Sequence, residues 1–252
     1  EGVYLSFCKF TTVNDAKFIG FANYAKVFAD ETFVHAFWYT AAFTVVSVIL
    51  INVLAFAVAL LLTKGFKGTN IFRTVFFMPN LIGGIVLGYI WQLLLNGILM
   101  KFSRTLTYSS TYGFWGLIIL MCWQQIGYMM IIYIAGIQNI PGELIEAAEI
   151  DGATGIKCFF NITVPLLSPT IFFVMITRII GALQVFDLIY MVMDKTNPAL
   201  NKTQSLVFLF YKYTFTNKNV GYGSTIVILL LVITLIITAI QMTAQKKWVF
   251  YN

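Results

Sequence analysis

Residues 36–62 read AFWYTAAFTVVSVILINVLAFAVALLL, and Asn52 is the only strongly polar interruption in the run. At about 1.5 Å of rise per residue a helix of this length exceeds the ~30 Å hydrocarbon core of a bilayer. The run shows no period-two alternation. Lipid offers no hydrogen-bond partners to an open backbone, so a continuous apolar segment of this kind is expected to cross as a helix and not as a barrel strand. Four more runs follow, at about Thr74–Leu95, Phe114–Ala135, Pro169–Val192 and Ser224–Met242. The reading is all-α: a polytopic membrane helical bundle with five full transmembrane helices.

Composition agrees. Of 252 residues 60% are hydrophobic and only 10% charged, against about 25% charge in soluble domains. The mean hydropathy is +0.85. The net charge of +6 comes from bases set singly between apolar spans, so no basic stripe tracks a phosphate backbone and nucleic acid is not an expected partner. Cys8, Cys122 and Cys158 fall in no CxxC or Cys/His spacing, which argues against a metal site and leaves them as small apolar fillers. An aromatic fraction of 17% is no evidence of a sugar site, because most of these rings must face lipid or neighbouring helices. The chain opens EGVYLSF, without Met or a visible signal peptide, and an N-terminal segment is expected to precede it.

The connections differ in character. Residues 1–35 form an amphiphilic lead-in with Phe18, Phe21, Tyr24 and Phe28. Residues 63–73, TKGFKGTNIFR, are short and basic, and the tail QKKWVFYN carries Trp248 and Tyr251, suited to a membrane interface. Loops 63–73 and 136–168 and the tail share one side. Lys and Arg are about equally dense on both sides, so the positive-inside rule does not orient the chain.

The loop at 140–170 reads IPGELIEAAEIDGATGIKCFFNITVPLLSPT. It predicts two short helices around a tight turn. Pro141 suits a first helical turn, Gly152 permits a left-handed turn, and Thr154 can cap a second helix through Phe159 and Phe160. Pro165 and Pro169 are expected to end that helix and start the next span. Leu144, Ala147, Ala148 and Ile150 give the first helix a small and apolar edge, and Glu143, Glu146 and Glu149 an acidic one. Such a knob suits a groove on a partner. A helix lying on lipid is disfavoured, because its glutamates would face anionic headgroups.

The pattern Glu146-Ala147-Ala148, three residues, Gly152, nine residues, Ile162-Thr163-Val164-Pro165 resembles the EAA loop of binding-protein-dependent ABC importer permeases, with Val164 in place of the usual Leu. Phe18-Ile19-Gly20-Phe21-Ala22-Asn23-Tyr24 is similar to the F-x-G-x-x-N-Y segment of the maltose-type carbohydrate permeases. Phe72-Arg73-Thr74 with Pro79, the stretch Gln184–Tyr190 and Gly221-Tyr222-Gly223 resemble helix starts and a helix of the same family. That family's GGP segment is replaced by Lys195-Thr196-Asn197-Pro198. The resemblance implies one permease domain over 1–252 with its coupling loop at about 139–168 facing the cytoplasm. It also implies a sixth membrane helix before Glu1, of which Tyr4–Phe7 would be the outer end. The implied setting is the cell membrane of a prokaryote, and the implied partners are a second homologous permease, two nucleotide-binding ATPase subunits and an extracellular solute-binding protein. Glu146, Ala147, Ala148, Gly152, Ile162 and Pro165 are the expected ATPase-coupling residues.

No G-x-x-x-x-G-K-[ST] loop occurs; Lys64-Gly65-Phe66-Lys67-Gly68-Thr69 has the wrong spacing. No cofactor is expected in this chain, with ATP and magnesium on partner subunits. Ionisable and amide residues inside spans are costly and mark cavities or partners. Arg178, Gln184 and Asp187 in the fourth run, and Gln124 and Tyr128 in the third, are the candidate substrate-pathway residues. Gln184 and Asp187, three apart, are expected to share a helix face, as are Gln124 and Tyr128, four apart. Gln125, Asn80, Tyr89 and Gln92 are further candidates, and packing roles stand open for all of them. The expected cargo is a sugar or oligosaccharide. The alternatives are a glycerophosphodiester or polyol in the same machine, or a stand-alone secondary transporter. No HExxH, paired intramembrane aspartates or Ser/His arrangement supports an enzyme.

Overall fold

The computed structural model describes residues 1–65, 67–106, 108–192 and 203–250. Among them five helical stretches are long and apolar enough to cross a membrane: Glu31–Leu62, Gly84–Phe102, Ser110–Gln138, Gly155–Leu183 and Val220–Lys247. The segment 195–198 and Tyr251, singled out above, lie outside the described residues.

In chain order the elements are α1 (Gly2–Ser6), β1 (Cys8–Lys9), β2 (Lys17–Phe18), α2 (Ala22–Ala29), α3 (Glu31–Leu62), α4 (Thr69–Phe77), α5 (Gly84–Leu99), α6 (Ser110–Gln138), α7 (Gly142–Ile150), α8 (Gly155–Cys158), α9 (Val164–Leu183), α10 (Asp187–Val192), α11 (Leu206–Tyr211) and α12 (Val220–Ala244). The two-residue β1 and β2 pair antiparallel and are the one departure from an all-helical chain among the described residues.

Two expected spans differ from the sequence reading. The run at Thr74–Leu95 is not one helix. A tight turn at Met78–Leu81 follows α4, Ile82 is extended, and α5 starts at Gly84. Pro79 has no N–H to continue the ladder, and Gly83 caps α5 with extended backbone. The run at Pro169–Val192 starts earlier and breaks. Helical backbone runs from Gly155 to Leu183, passes through a wide turn at Phe159–Thr163, and stops before Gln184–Phe186.

Pro165 and Pro169 therefore do not end the second loop helix. Pro165 sits in the first turn of α9, where its missing N–H costs least. Pro169 lies inside α9, and the carbonyl it leaves without a backbone donor is that of Pro165. Ser168 Oγ donates to that oxygen at 2.6 Å.

The contacts divide the chain into two compact units: residues 1–47, 83–121 and 180–237, and residues 48–82, 122–179 and 238–252. In the first unit the lead-in is tied down by polar contacts. Asn23 Nδ2 donates to the carbonyls of Ser6 at 3.1 Å and Cys8 at 2.9 Å, and Thr225 Oγ1 donates to Ser6 O at 2.9 Å. Asp30 Oδ2 accepts from Tyr213 Oη at 2.9 Å and Tyr222 Oη at 2.7 Å. Thr40 Oγ1 accepts from Leu206 N at 3.0 Å, and Ser205 Oγ caps α11 by accepting from Phe208 N at 3.1 Å. The apolar core of this unit includes Phe43, Leu87, Leu117, Ile189 and Ile226.

In the second unit the core is built on Ile51, Ala55, Met129, Met130, Leu167 and Val174. Gly127 of α6 meets the end of α4 so closely that a Cβ there would lie 1.8 Å from the Phe76 carbonyl oxygen. The tail folds back on the start of α9: the Trp248 ring sits 6.1 Å from Phe172, and Phe250 N donates to Ser168 Oγ at 3.0 Å. Cys8, Cys122 and Cys158 are buried free thiols.

Candidate functional site

The loop between α6 and α9 has the form expected of it at its turn. Ala153 N donates to Ala148 O at 2.9 Å and Gly152 N to Glu149 O at 3.0 Å. With Gly152 at φ +77, this pair of bonds is the Schellman arrangement that satisfies the last carbonyls of α7. No atom lies within 4 Å of a Cβ added at Gly152. The constraint on this position is therefore backbone conformation and not space.

Helix α7 buries none of its residues. Ile150 is 86% exposed and Ile156 beyond the turn 73%, while Leu144, Glu143, Glu146 and Glu149 also face outward. Large apolar side chains left bare on a short acidic helix mark an interaction surface. Of the expected coupling residues, Glu146 and Ala147 are exposed, Ala148 is half-buried, Gly152 sits at the exposed turn, Ile162 is half-buried in the wide turn, and Pro165 opens α9. Thr154 stands at the N-cap of α8, but its side chain makes no capping bond; its carbonyl accepts from Cys158 N at 3.0 Å.

The arms of the loop are fastened to the second unit just beyond it. A Cβ at Gly136 of α6 would meet Leu167 and Thr170 of α9 at 2.6 Å, so the two arms touch backbone to side chain. Phe56 of α3 lies between Tyr133 at 5.2 Å and Phe159 at 5.8 Å between ring centroids. Asn52, the one strongly polar residue of its run, accepts from Tyr133 Oη and donates to Val48 O at 2.7 Å. Its role is to join α3 to α6.

The pathway candidates fall into two sets. In the second unit Arg178 is 6% exposed and its Nη1 donates to Gln125 Oε1. Gln124 is half-buried and Tyr128 exposed on another face of α6, with the Tyr128 ring 6.5 Å from Phe77. The partner of Arg178 is thus Gln125, which the sequence reading set behind Gln124. The signal was present: Gln125 lies at i+3 from Cys122 and i−4 from Met129, both buried, whereas Gln124 shares its face with the exposed Tyr128.

In the first unit Gln184 and Asp187 are both exposed, but they do not share a helix face, because residues 184–186 are not helical. Asp187 is instead the first residue of α10 and packs on the start of α5. A Cβ at Gly84 would lie 3.0 Å from Asp187 Cβ and 3.2 Å from its Oδ2. One turn on, Gly88 admits Met191 in the same way. Two breaks, before α5 and before α10, therefore meet at one point, leaving an exposed carboxylate and an exposed amide there. Asn80 and Gln92 are half-buried and Tyr89 is exposed.

This chain is similar to known transport proteins over most of its length. Residues 51–248 match the family described as binding-protein-dependent transport system inner membrane component. The probable starch degradation products transport system permease protein AmyD of Thermoanaerobacterium thermosulfurigenes is 33% identical, over 98% of this chain and 86% of that protein. The sn-glycerol-3-phosphate transport system permease protein UgpA of Agrobacterium fabrum is 30% identical, over 94% of this chain and 84% of that one. A solved bacterial ABC transporter involved in the import of the acidic polysaccharide alginate shares the fold, with a TM-score of 0.85 at 20% identity over 98% of this chain and 87% of the other.

Proposed function

We propose, from the premise that this chain belongs to the family of binding-protein-dependent transport system inner membrane components, that its cargo is a sugar or oligosaccharide and that its α7 loop takes its drive from separate ATPase subunits. As an ABC importer permease it is a multi-pass protein of the cell's inner membrane, a transport subunit and not an enzyme. In the proposed assembly it acts as one permease domain beside a second homologous permease, two nucleotide-binding subunits that hold ATP and magnesium, and an external solute-binding protein.

The observation that carries the reading is α7, which buries none of its residues, is fixed in direction by Gly152 and is joined through α8 to a membrane helix. Its small and apolar edge, with Ala147 and Ile150, fits a groove on an ATPase subunit, and Glu146 offers a charge to the rim. Motion of the partner passes through α6 and α9, which touch at Gly136. Gln184 and Asp187 at the exposed helix breaks, and Gln124 and Tyr128 on the exposed side of α6, are the groups proposed to meet the solute. Arg178 is buried and gives its Nη1 to the neutral Gln125, so in this reading it is a packing clasp held out of reach of a phosphate. That favours a neutral sugar over a glycerophosphodiester, although the glycerol-3-phosphate relative keeps the second cargo in the test.

The test is uptake and ATP hydrolysis in the reconstituted complex. Gly152→Ala should lower uptake while ATP hydrolysis continues, and Gly152→Asn should retain more uptake, because Asn tolerates the left-handed backbone that costs other residues about 1–2 kcal/mol. Equal uptake in wild type and Gly152→Ala would remove the coupling role. Competition by a panel of oligosaccharides, with glycerol 3-phosphate as the contrasting solute, separates the two cargoes.

A further inference from the structure

We infer that the lead-in before α3 is an anchor in the bilayer surface, with one face of α2 and the ring cluster beside it seated against lipid at the water–hydrocarbon boundary. The inference rests on membrane placement alone and not on the cargo or the coupling loop.

Helix α2 has two unlike faces. Asn23 and Val27 point inward, and Asn23 spends its amide on the carbonyls of Ser6 and Cys8. The opposite face consists of Phe21, Ala25 and Phe28, all exposed, with Phe21 at 73% and Phe28 at 64%. Lys26, which flanks that face, has its ammonium 5.3 Å from the Tyr222 ring centroid. The inward face is therefore accounted for by this chain, and the outward face is apolar and exposed.

What covers that face follows from where it leads. The Phe28 ring meets Phe33 of α3 at 6.1 Å, edge to face. From there an exposed apolar stripe of Val34, Trp38, Ala42 and Val45 runs along the membrane-spanning α3. In the other direction Phe21 meets Phe7 at 5.2 Å, and Phe7 meets Phe18 at 6.4 Å. The bare surface of α2 thus adjoins the surface that a membrane span turns to lipid. An amphipathic helix with aromatic anchors at the end of a span is the form that lies in the interfacial plane. Exposed Glu31 and His35 stand among Val34 and Trp38 at the start of α3, the polar groups expected where a span reaches the headgroup level at which such a helix lies.

The experiment is a nitroxide scan of the full complex in phospholipid vesicles. The native thiols at 8, 122 and 158 are buried, so Phe21→Cys, Ala25→Cys and Phe28→Cys can be labelled singly, with Asp15→Cys as an exposed polar reference. Collision with oxygen should exceed collision with a water-soluble nickel chelate at 21, 25 and 28 and fall below it at 15. Ala25→Cys is the mildest change and carries the result if either Phe variant fails to assemble. Higher nickel than oxygen accessibility at 25 and 28 would place this face in water and overturn the inference. Protection from both reagents that appears only with the solute-binding protein would assign the face to that protein instead.

Discussion

Ser168 Oγ donates to Pro165 O at 2.6 Å and accepts from Phe250 N at 3.0 Å. One hydroxyl thus serves the carbonyl orphaned by Pro169 and also holds the C-terminal tail against α9. Ser168 is buried, so its hydroxyl has no water to fall back on.

Ser168→Ala should destabilise the detergent-solubilised protein by about 1 kcal/mol, the typical worth of a hydrogen bond lost from a buried site. It should also free the tail. Limited carboxypeptidase digestion checks this: Ser168→Ala should lose residues past Trp248 faster than wild type, and Ser168→Thr should not. Equal digestion of all three would mean that the Trp248–Phe172 contact holds the tail without the hydroxyl.

Gly127 lies under the Phe76 carbonyl, where a Cβ would be 1.8 Å from the oxygen and 2.7 Å from Phe77 N. Backbone cannot turn away as a flexible side chain can. Gly127→Ala should therefore cost at least the ~1–3 kcal/mol of overpacking and shift α4 off α6. Gly97, in α5, has open space around its Cβ position. Gly97→Ala should be neutral or stabilising by up to about 1 kcal/mol, as helix propensity predicts. Thermal unfolding of the two variants in one detergent compares them. A Gly127→Ala protein as stable as Gly97→Ala would show that α4 is free to move.

The contrast between these glycines shows what the sequence could and could not reveal. Membrane crossing was legible because hydrocarbon admits so few backbone solutions: each of the five expected runs overlaps a helix long and apolar enough to span. The turn at Gly152 was legible because a left-handed residue after a helix former is a local affair. The breaks were not. Pro79 and the glycines after it suit a kink and close packing, and both occur, but at the stop after Leu183 the nearest glycine, Gly181, lies inside α9 and not at its end. Pro169 stays inside its helix with Ser168 next door donating to the orphaned carbonyl, and whether Gln124 or Gln125 meets Arg178 depends on which face of α6 is buried. Such facts are set by tertiary packing, and local sequence carries them only weakly.

Asp30 ties the lead-in to two tyrosines, and the tie should respond to pH at both ends of the scale. Burial pushes the Asp30 carboxyl up, but the hydrogen bonds from Tyr222, the Thr32 N–H and Tyr213 outweigh it and hold the group below its ordinary 3.8. Its contribution to stability is then complete above about pH 4 and is lost as pH falls through the lowered folded value. Burial, followed by the hydrogen bond and charge of Asp30, pushes the Tyr213 phenol up to about 12. That contribution is complete below the ordinary value near 10 and is lost as pH rises towards about 12. Unfolding measured across pH should show both limbs in wild type. Asp30→Asn should flatten the acid limb and shrink the alkaline one, while Tyr213→Phe should shrink the alkaline limb and leave the acid limb in part. An unchanged pH profile in Asp30→Asn would mean that other groups govern both limbs.

Arg178 and Gln125 offer a way to separate a packing clasp from a solute contact. Arg178 is buried near the C-terminal end of a membrane-spanning helix and gives its Nη1 to Gln125 Oε1. Removing one partner leaves the other unsatisfied in an apolar interior. Gln125→Leu should cost about 1.5–3 kcal/mol, the range for a hydrogen bond to a charged group, and Arg178→Met a comparable amount through the stranded amide. The double variant should cost less than the sum, because two apolar side chains replace a pair that no longer needs solvation. A double-mutant cycle on thermal unfolding measures that coupling. Transport by the double variant then decides the role. If Arg178 only holds α9 to α6, the refolded pair of apolar side chains should restore uptake along with stability. Stability restored without uptake would move Arg178 from the frame of the bundle to the path of the solute.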